Sequence, residues 1–155
     1  MVDLFNRKKE VDAIAAMFKD LRLQQRRSVM VVMLSVAFTE DRSTCLDEIT
    51  SRVQAYEAAL DVQCERCLKY TNQHGMQQVG EDLKTMTLEQ KEFLIASVWG
   101  LITCAGTRPG LAEMSVASSL FADMGIPERQ FLDVLEKLIH ERRRQNAEME
   151  ATREI

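Results

Sequence analysis

Apolar side chains recur every three to four positions along most of the chain, with polar residues filling the gaps. Val11, Ile14, Ala15, Phe18 and Leu21 follow this spacing between Lys, Asp and Arg, and predict an amphipathic first helix. Residues 29–38 are apolar apart from Ser35 and, taken alone, read equally as a buried strand or a buried helix. Leu46, Ile49, Val53, Tyr56 and Leu60 then form one face of a long helix. Ahead of it, Thr44-Cys45-Leu46-Asp47 has the form of a cap. Asp61 is placed to cap a following helix that carries Val62, Cys67, Leu68 and Thr71. Residues 72–75 mark a break, and residues 81–87 read as a connector or a short helix.

Thr87-Leu88-Glu89-Gln90 is a capping box: the threonine hydroxyl faces the N3 amide and the glutamine reaches back to the N-cap amide. It opens a helix over residues 88–104. Pro109 suits a first helical turn. Leu111, Met114, Ala117, Phe121 and Met124 form the next stripe, and Gly125 fits the position just past a helix end. Pro127-Glu128 opens a last helix through Phe131, Val134, Leu135 and Leu138. From Glu141 onward the pattern is polar all round, which predicts a solvated helix extension or a frayed end.

The same helical unit reads as written twice, over residues 30–70 and 96–134. At an offset of 65, Leu46 falls on Leu111, Glu48 on Glu113, Ile49 on Met114 and Tyr56 on Phe121. At an offset of 64, Cys67 falls on Phe131, a core position. Self-similarity of this kind reports on fold rather than on local propensity. It resolves the run at 29–38, because its counterpart at 93–104 continues a clear helix. The expected fold is an all-α, single-domain bundle of about seven helices with an internal two-fold repeat. Residues 1–27 are expected to form an amphipathic arm, 28–140 the helical domain and 141–155 a polar helical or frayed tail.

Composition supports helices: glycine (6) and proline (2) are scarce, and there are nine methionines. Net charge is −4, distributed as +3 on residues 1–27, −7 on 28–140 and zero on 141–155. An acidic body argues against a nucleic-acid-binding core. The ten residues of the longest apolar run fall short of the ~18 needed to span a bilayer. Lacking a secretory h-region near Met1, the chain is expected to be intracellular and cytoplasmic, with Cys45, Cys64, Cys67 and Cys104 reduced. The face of Ile14, Phe18 and Leu21 is expected to pack on the protein's own bundle. Its alternative use is to lie on an anionic membrane surface.

Three groups of residues could carry chemistry. Glu40, Asp41, Asp47 and Glu48 cluster in the first inter-helix turn, and carboxylate oxygens there could chelate Ca²⁺ or Mg²⁺. The turn lacks the spacing and glycine of an EF-hand loop. The second turn keeps only Glu113 of these acids. Cys64-Glu65-Arg66-Cys67 has the spacing of half a zinc site, with His74 and Cys45 as the further candidates. Only one such pair exists, and it lies within a helical pattern. His74 and His140 are the only histidines, and no nucleophile elbow, phosphate loop or metalloprotease histidine pair occurs. No enzyme and no resident cofactor are expected.

The segment at 87–106 (Thr-Leu-Glu-Gln-Lys-Glu-Phe-Leu-Ile-Ala-Ser-Val-Trp-Gly-Leu-Ile-Thr-Cys-Ala-Gly), Glu113, and Met124-Gly-Ile-Pro-Glu-Arg-Gln together resemble the tellurite-resistance TerB-like family. The resemblance implies an all-α fold of two repeated helical units. It also implies a cytoplasmic bacterial module linked to tellurite or other stress responses, whose acidic turns are associated with divalent cations. By position Glu40 matches the first-unit Asp, Glu48 the first-unit Glu and Glu113 the second-unit Glu. Ala105 stands where the second Asp belongs, Asp41 replaces the first Gly, and both turns are one residue longer. The expected function is a non-enzymatic interaction module with a protein partner or a second copy of itself. The alternative is a divalent-cation-binding protein using Glu40, Asp41, Glu48 and Glu113.

Overall fold

Residues 4–37, 46–103 and 111–153 are described by the computed structural model, which arranges them in eight helices with no strand among the described residues. The organising element is α2 (Leu23–Ala37). Every residue from Ser28 to Leu34 is buried, as are Val36 and Ala37. A helix apolar on all sides can be stable only when other helices surround it. Five do so: α3 (Leu46–Leu60), α4 (Cys64–His74), α5 (Met76–Leu83), α6 (Leu88–Ile102) and α7 (Leu111–Asp123) all contact it. Two further helices complete the bundle: α1 (Leu4–Met17) packs on α3, and α8 (Glu128–Arg153) packs on α6 and α7.

The first helix belongs to the same core. Ile14 and Phe18 are buried, and the Phe18 ring meets Phe93 edge-on at 5.6 Å and Tyr56 at 6.4 Å. It ends at Met17, earlier than its apolar spacing predicts, because the chain turns at residues 18–22. Gln25 then reaches back to accept from the Arg22 amide at 3.0 Å, an N-terminal cap for α2. At the opposite end of the bundle Phe121 and Phe131 stack at 5.2 Å and join α7 to α8.

The helix ends explain the chain reversals. The capping box at Thr87 forms as its sequence predicts, and Gln90 also donates to the Met17 carbonyl at 3.0 Å. One residue thus closes α6 and ties it to the end of α1. Asp61 does not cap α4. It sits at φ +53° just past α3, with the Val62 amide bonded to the Glu57 carbonyl and the Asp61 amide to Ala58. This is the left-handed helix stop that aspartate tolerates better than most side chains. The N-cap of α4 is Gln63, and the Cys64 amide is satisfied by Glu57 Oε2 at 2.9 Å instead. Gly125, at φ +83°, ends α7 with the same pair of bonds, Ile126 to Phe121 and Gly125 to Ala122.

Eight helices replace the expected seven or so because residues 72–87 hold a complete element. Gly75 at φ +82° stops α4, and α5 follows at once. Its apolar residues Met76, Val79 and Leu83 fall at helical spacing inside a segment read as a break and a connector; Val79 and Leu83 are fully buried and Met76 packs against the core. The polar tail is the continuation of α8, exposed at each of its described positions from Glu141 to Ala151.

Candidate functional site

The acidic turn is only partly visible. Glu40 and Asp41 lie outside the described residues, and so does the side chain of Glu113, which is in the first turn of α7. Glu48 is in the first turn of α3 and pairs with Arg52 one turn on, at 3.3 Å. That guanidinium is itself seated on α6: a methyl group at Gly100 would lie 2.7 Å from Arg52 Nη1. The Arg52 guanidinium beside the Glu48 carboxylate offsets part of its charge. Among the described residues no three His, Cys, Asp or Glu side chains are grouped to hold a metal ion.

The cysteine pair is likewise not assembled as a metal centre among the described residues. Cys64 and Cys67 are free thiols in the first turns of α4, Cys67 fully buried. His74 lies at the far end of that helix with its ring against Tyr70, centroids 4.6 Å apart. Cys45 and Cys104 are outside the described residues. Burial, a hydrogen bond to Glu57 and the charge of that carboxylate push the Cys64 thiol up to about 12. Burial pushes Cys67 up to about 11. Glu57 moves the other way, its carboxylate held below the usual range by the Cys64 amide and thiol. A thiol that resists ionisation is a poor nucleophile, the reverse of the activation that a catalytic or exchange-active cysteine needs.

The most developed polar arrangement is one that the apolar pattern did not reveal. The carboxylate of Asp82, on α5, accepts from three side chains on three helices. Ser28 Oγ of α2 and the Tyr70 hydroxyl of α4 both reach Oδ2, at 2.8 and 2.6 Å, and Gln78 reaches Oδ1 at 2.8 Å. Gln25 adds bonds to the Asp82 carbonyl at 3.2 Å and to Thr85 at 2.9 Å. Burial and the bonded Asp82 carboxylate push the Tyr70 phenol up to about 12. Ser28 is the one visible clue, a hydroxyl entering a run that is otherwise apolar and fully buried. These polar groups are bonded to one another, and the arrangement clamps α2, α4 and α5 together.

A second polar contact lies under α1. The buried Tyr56 hydroxyl donates to Ser97 Oγ, which donates to the Phe93 carbonyl at 3.1 Å, tying α3 to α6. Burial raises the Tyr56 phenol far above its ordinary value. The cleft beside it, bounded by Glu10 and Arg52, has a volume of about 90 Å³, room for little more than solvent.

A groove with a volume of about 530 Å³ runs between α7 and α8. Ser115, Ser118, Ser119 and Ala122 form one wall; Glu128 and Leu132 form the other over Phe131. Leu132 is 49% exposed, and Ile139 one heptad further along α8 is also exposed. The sequence missed this groove because small polar residues on α7 read as the solvent face of an ordinary helix. Along the outer side of α8, Lys137, His140 and Arg144 alternate with Asp133, Glu136 and Glu141. No described helix is long and apolar enough to cross a membrane. Comparison with known proteins finds no matching family, no matching curated protein and no matching solved structure.

Proposed function

We propose that this chain is a non-enzymatic helical interaction module of the TerB-like type, serving a bacterial stress response by presenting a helix face to a protein partner. The observation that carries the reading is Leu132, a large apolar side chain 49% exposed at the rim of the α7–α8 groove. Leu132 and Ile139, one heptad apart on α8, set two exposed apolar side chains on the same helix face, a stripe for a partner to cover. The two-unit architecture implied by the TerB-like motifs is supported by the matching helix stops at Asp61 and Gly125, 64 positions apart, and by Cys67 and Phe131 both being buried. The cation-binding rival rests on Glu40, Asp41, Glu48 and Glu113, of which only Glu48 has a described side chain, and that one pairs with Arg52.

The test compares immobilised wild-type protein with Leu132→Lys and, as a control at a distant exposed position, Leu68→Lys. A discrete protein retained from a bacterial lysate by wild type and L68K but lost with L132K supports the reading. Sedimentation of the three proteins alone identifies a second copy as that partner. Equal retention by all three, with circular dichroism showing each folded, overturns it.

A further inference from the structure

We draw no further inference here: the strongest candidate, the groove between α7 and α8 rimmed by Ser118, Ser119 and Leu132, belongs to the surface already proposed for docking, and nothing in the structure shows what covers it.

Discussion

Ser28 and Tyr70 donate to the same carboxylate oxygen, Asp82 Oδ2, at 2.8 and 2.6 Å. One comes from the innermost helix and the other from an outer one, so the short α5 is clamped between them. Asp82→Ala leaves the buried Ser28 hydroxyl without its acceptor and is expected to cost about 1–3 kcal/mol. Tyr70→Phe removes one donor and should cost about 1 kcal/mol. Urea unfolding of D82A, Y70F and the double variant checks both: the second substitution should cost almost nothing once the first is made. A D82A midpoint equal to that of wild type would sink the clamp.

Two glycines in helices are expected to respond oppositely to alanine. At Gly80 the added methyl would lie 2.7 Å from Asp123 Cβ and 2.9 Å from its carbonyl oxygen, so α5 and α7 must separate. Overpacking of this kind costs about 1–3 kcal/mol, more than the ~1 kcal/mol that helix propensity returns. At Gly100 the nearest atom is the end of the Arg52 side chain, which can swing away. Gly100→Ala should therefore be neutral or stabilise by up to ~1 kcal/mol. Thermal melts of the two variants should bracket the wild type.

The thiols give a pH dependence with a definite sign. Cys64 and Cys67 are raised from 9.0 to about 12 and about 11, so in the unfolded chain they lose protons first. Above the unfolded value the unfolded state binds fewer protons than the folded one, and stability falls as pH rises. Their contribution is complete below about pH 9 and is lost on the way to pH 11–12. Melting temperatures from pH 8 to 11 should decline, and Cys64→Ala/Cys67→Ala should flatten the first part of that decline. Alkylation of Cys64 at neutral pH should be slower than that of a free thiol and should quicken in Glu57→Gln, which removes the carboxylate holding it neutral.

Calcium separates the two functional readings. With Glu48 engaged by Arg52 in a half-exposed pair, millimolar Ca²⁺ should leave the melting temperature unchanged, and Glu48→Gln should cost no more than ~0.5 kcal/mol. A Ca²⁺-dependent rise that disappears in E48Q would instead favour the cation-binding reading.

Long amphipathic helices were readable from spacing alone. Of the stripe Leu46, Ile49, Val53, Tyr56 and Leu60, the last four face inward as their positions imply while Leu46, at the helix start, is exposed, and Thr87 caps α6 by the rule that its sequence follows. What spacing could not supply was whatever depends on a neighbour distant in the chain. Asp61 is an acid before a helical stripe, which describes an N-cap and a left-handed stop equally well until Val62 is seen to bond back to Glu57. Helix α5 hides because it is only eight residues long and its apolar Met76, Val79 and Leu83 follow directly on the break at Gly75; core burial and the polar bonds from Ser28 and Tyr70 to Asp82 hold it. The two walls of the α7–α8 groove are likewise contributed by segments whose facing is set by tertiary packing. On the functional side, Glu40, Asp41 and the Glu113 side chain lie outside the described residues.

The burial of α2 on every side has a consequence for how the chain folds as it is made. Its apolar run, Val29 to Val36, leaves the ribosome well before α6 and α7, which supply part of its covering, have been synthesised. Until then a sticky cylinder is exposed to the cell, and early collapse can only be partial. Premature release of nascent chains ending near residue 103 should therefore yield species that recruit chaperones or aggregate rather than a stable half-protein.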